Sequence, residues 1–132
     1  MTPEAAEYLE RAREDLADAR KIAAIGLARV AARSAYYAAF HAAEALIIHH
    51  SGKVAKTHSG VRAELARLLK DQAGPDRDML AYLARNYAYK QIGDYAVGRD
   101  ASVTPKQAND AIEGADRFIE RVAALLGTSN IK

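Results

Sequence analysis

Apolar residues recur every three or four positions along most of the chain, which is the period of an amphipathic α-helix. The first such segment follows Thr2, a good N-cap, and Pro3, which suits the first helical position, and it reaches Gly26. Its opposite face is predicted to be solvated because basic and acidic side chains are mixed there. The charged residues of this segment include Glu10, Arg11, Arg13, Glu14, Asp15, Asp18, Arg20 and Lys21.

A second helical segment is predicted from about Leu27 to about Ser51, with Gly52 as its stop. Between Ala31 and Ile48 it is apolar on almost every side, so it should be the most buried helix of the protein. Its many alanines allow neighbouring helices to approach closely.

Three further helical segments follow, and capping or stopping residues mark their ends. Their predicted limits are, in chain order, Thr57 or Ser59 to Gly74–Pro75, Asp76 to about Tyr95, and Thr104–Pro105 to Gly127. Residues 97–103 are predicted to form a loop and residues 128–132 a flexible C-terminal tail. Helices joined by short connections predict an all-α fold, an antiparallel four-to-five-helix up-down bundle over residues 1–127.

Composition and charge narrow the classes of function. The chain has no cysteine, which excludes disulfides and thiolate metal sites and makes a reducing cytoplasm the expected compartment. No apolar run approaches the roughly 18 residues of a membrane span. The formal net charge is +2, with both signs interspersed, which is not the basic stripe of a dedicated duplex-DNA binder. We therefore expect a cytoplasmic protein without membrane association.

A polar and aromatic stripe on the second helix is the main candidate for chemistry. Residues three or four positions apart share a helix face, so Arg33, Tyr37 and His41 are aligned and Glu44 lies one turn beyond His41. Histidine transfers protons near neutral pH, and arginine binds phosphate. The stripe is consistent with a ligand pocket, or with a buried network that satisfies its own polar groups and fixes helix packing.

Two other segments contain candidate anion-binding residues. Lys56 precedes the third helix and His58 lies at its start, where free backbone amides attract phosphate. Lys90 and Asp94 are one turn apart on the fourth helix, next to Tyr95, and could bind a phosphate and orient a histidine. The structural alternatives are a capped helix after a solvated loop and a surface ion pair.

Metal and cofactor binding are not expected. His49 and His50 are adjacent on a helix and do not share a face, so they make a poor metal pair. The tyrosines of the fourth helix, among them Tyr82, Tyr87 and Tyr89, favour an aromatic core or a dimer interface over base stacking.

Three blocks of sequence, in this order, resemble the HEPN domain family (higher eukaryotes and prokaryotes nucleotide-binding), in its short stand-alone bacterial and archaeal branch. The blocks are Arg33 to Ala43, Lys56 to Val61, and Lys90 to Tyr95 followed by the last helix. The resemblance covers nearly the whole chain. It implies a four-to-five-helix bundle that forms a two-fold homodimer and acts as the toxin-like partner of a minimal nucleotidyltransferase, the antitoxin.

The resemblance also implies a candidate active site. Active members of the family are metal-independent ribonucleases that use an arginine followed, after four to six residues, by a histidine, and two such motifs face each other across the dimer. Arg33 and His41 are the corresponding catalytic pair here, although seven residues separate them.

Together these observations predict a nucleotide- or RNA-binding protein of the toxin–antitoxin type that could be a metal-independent ribonuclease. The alternatives are a non-catalytic dimeric module that pairs with a nucleotidyltransferase-like partner, and a small-ligand binder that uses a cavity between the second and fourth helices.

Overall fold

The protein is a bundle of α-helices. The computed structural model describes residues 1–70, 74–95 and 102–131, with side chains from 76 to 92 in the second range and up to 127 in the third. The helices of these ranges are α1 (Pro3–Ala24), α2 (Ala28–Ser51), α3 (His58–Leu69), α4 (Gly74–Tyr95) and α5 (Pro105–Ile131). The predicted all-α helical bundle is therefore confirmed.

Threonine side chains cap three of the helix N-termini, as the sequence predicts. The hydroxyl oxygen of Thr2 accepts a hydrogen bond from the Ala5 amide (3.1 Å), and that of Thr57 accepts one from the Gly60 amide (2.9 Å). At α5, Thr104 and Gln107 cap each other reciprocally, with distances of 3.1 and 2.8 Å. Each cap satisfies an amide that has no partner inside its own helix.

Only two of the glycines predicted to stop helices do so. Gly26 and Gly52 have φ angles of 85° and 73°, the left-handed conformation that follows a helix end. Gly74 instead begins α4, where the proline that follows suits the first turn. The predicted end at Gly127 is wrong because α5 continues to Ile131; glycine lowers helix propensity without forbidding a helix.

Helix α2 lies at the centre of the bundle and packs against each of the other four helices. Every alanine of this helix from Ala31 to Ala45 is buried, so small side chains face its neighbours on several sides. The prediction that α2 is the most buried helix is confirmed.

Contacts between side chains give the directions of the helices. Helix α1 runs antiparallel to α5, because Arg13 pairs with Glu120 (2.9 Å) while Arg20 pairs with Asp116 (2.9 Å). The charged face of α1 is thus partly bound to α5 although its arginines stay exposed. Within the described ranges, none of the helices combines the length and the hydrophobicity that crossing a membrane requires.

Candidate functional site

An open groove between α1 and α2 contains the Arg33–Tyr37–His41 stripe predicted on α2. It has a volume of about 490 Å³, and its lining includes Arg11 and Asp15 of α1 in addition to the three stripe residues. A second cavity of about 340 Å³ shares Arg11 and His41 with it and adds Tyr8. We call the two together the α1–α2 groove. Arg33 and His41 therefore line the same solvent-accessible site.

His41 is held between two carboxylates in this groove. Its Nδ1 atom lies 2.7 Å from Oε1 of Glu44, and its Nε2 atom lies 3.5 Å from Oδ2 of Asp15. The His41 side chain is 16% exposed, whereas Glu44 is buried. The buried glutamate orients the imidazole through Nδ1, and Nε2 is the ring nitrogen that faces Asp15 across the groove.

The electrostatics around Asp15 combine two opposing effects. Burial raises the pKa of the Asp15 carboxyl above its ordinary value, and the nearby charges of His41 and Arg11 act against that rise. The largest contribution is the burial, because removal from water penalises the charged form of a carboxyl. Asp15 therefore holds its proton to a higher pH than a solvated aspartate does.

Arg33, Tyr37 and His41 form a continuous row of contacts along α2. The guanidinium carbon of Arg33 lies 4.8 Å from the centroid of the Tyr37 ring, within cation–π range. The centroid of Tyr37 is in turn 6.0 Å from that of His41. Since Arg33 and His41 are eight residues apart, their backbones are roughly 12 Å apart along the helix. The row suits an extended ligand better than a single small group.

Helix α1 contributes functional candidates that the sequence did not reveal, because Arg11 and Asp15 were predicted to lie on a solvated face and Tyr8 on the apolar face. Arg11 lines both cavities together with His41, and Tyr8 lies with its ring centroid 6.5 Å from that of His41. Tyr8, Arg11 and Asp15 recur at helical spacing on the flank of the apolar face of α1. The helical spacing of this row can be read from the sequence, but no neighbouring residue in the sequence indicates that the row lies opposite His41.

His58 and Lys56 do not line the α1–α2 groove. His58 belongs to an aromatic cluster inside the bundle: its Nδ1 atom lies 2.8 Å from the hydroxyl oxygen of Tyr36, and its ring stacks on Phe40 at 4.4 Å. The cluster contacts the groove through Tyr37, whose centroid is 5.8 Å from that of His58, and through Phe40, whose centroid is 5.9 Å from that of His41. Lys56 is exposed before the start of α3.

Arg62 of α3 lies beside the same cluster. Its guanidinium carbon is 5.1 Å from the centroid of Tyr87, and its Nη1 atom is buried with no hydrogen-bond partner in the described part of the chain. Burial raises the pKa of the Tyr36 hydroxyl, while the nearby Arg62 charge lowers it. The cluster therefore keeps Tyr36 neutral and able to donate a hydrogen bond to His58.

The third sequence block is only partly described. Lys90 is half-buried on α4, and the side chains of Asp94 and Tyr95 lie outside the described residues. Tyr82 is buried, and its hydroxyl donates a hydrogen bond to the carbonyl of Ala111 (2.7 Å), so its predicted use in an aromatic core is confirmed. Over the described residues, no three or more His, Cys, Asp or Glu side chains are grouped so that they could hold a metal ion.

Comparisons with known proteins agree with the sequence blocks. The model of the HEPN domain family matches residues 5–125 of the chain. A UPF0332 protein from Archaeoglobus fulgidus is 27% identical over 113 residues, which cover 86% of this chain and 87% of that protein. The match to the family model extends from α1 into α5, so it spans both walls of the α1–α2 groove.

Proposed function

The chain belongs to the HEPN domain family, whose members have nucleotide- or RNA-related functions in general, and we propose that this protein binds RNA in the α1–α2 groove. The observation that carries the proposal is that Arg11, Arg33, Tyr37 and His41 line one open site. No single helix supplies this combination, since Arg11 comes from α1.

The chemistry of the groove fits a single RNA strand. The guanidinium groups of Arg11 and Arg33 bind phosphate oxygens through paired N–H donors. Tyr8 and Tyr37 are only half-buried, so their rings offer surface on which unpaired bases can stack. Because the row from Arg33 to His41 extends along the helix, several nucleotides can contact it at once.

The binding test uses fluorescence anisotropy of a labelled single-stranded RNA in EDTA. We expect Arg11→Ala and Arg33→Ala each to weaken binding about tenfold at moderate salt and to reduce its salt dependence, because each removes a phosphate contact. Arg13→Ala is the matched control: Arg13 is an exposed arginine of the same helix, but it faces Glu120 on α5. Equal affinities of all three variants and the wild type would rule out this groove as the RNA site.

A second candidate function, metal-independent RNA cleavage, is favoured by the hydrogen bond between Glu44 and His41 (2.7 Å). In such a reaction Nε2 of His41 takes the proton of a ribose 2′-hydroxyl, whose oxygen attacks the adjacent phosphorus. The bond from phosphorus to the 5′-oxygen breaks, and that oxygen leaves with a proton from a general acid. Arg33, with Lys90 as a further candidate, would stabilise the phosphate charge.

The cleavage test follows the products of RNA in EDTA with wild type, His41→Ala, Arg33→Ala and Glu44→Gln. A ribonuclease of this kind should form a 2′,3′-cyclic phosphate and a 5′-hydroxyl, lose cleavage in His41→Ala and Arg33→Ala, and slow in Glu44→Gln because the imidazole is less well oriented. Helical circular dichroism checks that each variant is folded. RNA binding without cleavage in the wild type would instead favour the non-catalytic module.

The proposal includes the assembly of the protein. HEPN domains commonly form dimers. Apolar Ile25 and Leu27 are exposed in the turn between α1 and α2, and Val30, in the first turn of α2, is exposed and also lines the groove. We propose a homodimer that pairs with a nucleotidyltransferase-like antitoxin. Light scattering should give twice the chain mass of 14.3 kDa, and a nucleotidyltransferase encoded next to the gene should co-purify. A monomeric protein that does not bind such a nucleotidyltransferase would contradict the proposed assembly.

A further inference from the structure

A second groove lies between α4 and α5 and shares no residue with the α1–α2 groove. Its volume is about 460 Å³. Three arginines, Arg85, Arg117 and Arg121, line it together with one acid, Asp78. The proposed RNA site does not use this groove, so an inference about it goes beyond the proposed function.

Two of the three arginines form no ion pair with any residue that the structure describes. Arg121 is held by Asp76, which is fully buried, at 2.5 and 3.2 Å. Arg85 and Arg117 are exposed, and within the described ranges neither forms a hydrogen bond or an ion pair. The groove therefore presents two guanidinium groups to an anionic partner.

The positions of these two arginines follow from the contact between Tyr82 and Gly114. The Tyr82 ring lies so close to Gly114 that a Cβ atom built there would be 2.5 Å from it. Arg85 and Arg117 each follow this contact by three residues, and α4 and α5 are antiparallel because Tyr82 bonds Ala111 while Asp76 bonds Arg121. The two arginines thus lie roughly 9 Å apart along the groove, one on each side of the contact.

The floor of the groove is apolar and offers no ring for base stacking. Met79, Tyr82 and Phe118 form it, with exposures of 4%, 6% and 2%. Rings this deeply buried have no free face for a nucleotide base, unlike the half-buried Tyr37 of the other groove. A polyphosphate chain would also bring negative charge against Asp78. Both features favour a protein partner over RNA.

We propose that the α4–α5 groove docks an acidic α-helix of a partner protein. Two carboxylates at positions i and i+7 of such a helix are about 10.5 Å apart on one face, which is close to the roughly 9 Å between Arg85 and Arg117 along the length of the groove. A lysine or arginine of the same helix faces Asp78. Arginine suits this role because its planar fork binds a carboxylate through two parallel hydrogen bonds.

The probe for this surface is a labelled, alanine-rich helical peptide of about 20 residues, with glutamates seven positions apart and one lysine on the same face. A peptide with glutamines in place of the glutamates is the matched control peptide. We expect the acidic peptide to bind more tightly than the glutamine peptide. The double variant R85E/R117E should weaken acidic-peptide binding about tenfold or more, because two attractions become repulsions.

The protein control is Arg77→Glu, which makes the same type of substitution once, at an exposed position of α4 outside the groove. It should leave peptide affinity unchanged. Absence of saturable binding by the acidic peptide, or equal binding by wild type and R85E/R117E, would overturn the proposal. Loss of labelled RNA binding in R85E/R117E, with peptide binding unaffected, would assign the groove to RNA. RNA binding that depends on Arg11 and Arg33 is measured separately, so the two proposals can fail independently.

Discussion

The phenolic oxygen of Tyr36 lies 2.8 Å from Nδ1 of His58, which ties the buried centre of α2 to the first residue of α3. Both residues belong to blocks that resemble the HEPN family, but they are 22 positions apart in the chain. Their hydrogen bond sets the position of the aromatic cluster behind Tyr37, and Tyr37 forms part of the wall of the α1–α2 groove.

Removal of the Tyr36 hydroxyl should destabilise the protein. Tyr36→Phe leaves Nδ1 of the half-buried His58 without this partner, and we expect a loss of about 1 to 2 kcal/mol in the free energy of unfolding, measured with urea. Tyr8→Phe is the control, because the Tyr8 hydroxyl has no hydrogen-bond partner in the described part of the chain. Equal stabilities of the two variants would show that the hydrogen bond does not contribute.

Two glycines of α5 should respond in opposite ways to alanine. At Gly114 the new Cβ would meet the Tyr82 ring at 2.5 Å, so Gly114→Ala should cost about 1 to 3 kcal/mol through overpacking. At Gly127 nothing lies within 4 Å, and Gly127→Ala should leave stability unchanged or raise it by up to about 1 kcal/mol. Urea unfolding of both variants checks this. A Gly114→Ala protein as stable as wild type would mean that Tyr82 can move aside.

Removing either partner of the Asp76–Arg121 ion pair should destabilise the protein, but by different amounts. Arg121→Ala leaves a fully buried carboxylate without its partner, which should cost about 3 kcal/mol. Asp76→Ala should cost less, because the Arg121 side chain is 41% exposed and can be rehydrated. Thermal unfolding of both variants gives the comparison. Lys106→Ala, which breaks the exposed pair with Asp110, should change stability little and serves as the control.

The Asp15 carboxyl should make stability depend on pH. Burial raises its folded-state pKa above the ordinary value of 3.8, so the folded protein binds more protons than the unfolded chain in this range. The stability that this group contributes is therefore fully present below 3.8 and is lost as the pH rises through the folded-state pKa. Asp15→Asn removes the titration.

The measurement is urea unfolding of wild type and Asp15→Asn from about pH 3 to about pH 6. The stability of Asp15→Asn relative to wild type should increase as the pH rises through this range. A constant difference, or a difference of the opposite sign, would show that burial is not the dominant influence on this carboxyl.

The sequence by itself determined the helices and the resemblance on which the function rests. Helix formation and capping depend on residues within one or two turns, so Thr2 and Thr104 could be identified as caps without a structure, and Thr57 as one of two candidates beside Ser59. The alignment of Arg33, Tyr37 and His41 follows from the helical repeat alone. The sequence does not determine whether Gly127 ends α5, because a glycine near the end of a helix can either stop it or continue it.

Only the tertiary structure decided which helices share a site. Arg11, Asp15 and His41 meet because α1 packs on α2, and that packing depends on burial across the whole bundle rather than on any local pattern. The packing of α3 on α2 placed His58 in the aromatic cluster, and the packing of α4 on α5 brought Arg85 and Arg117 to one groove. Charged side chains on the flank of an amphipathic helix look alike in sequence, and the neighbouring helix determines whether they stay in water or line a groove.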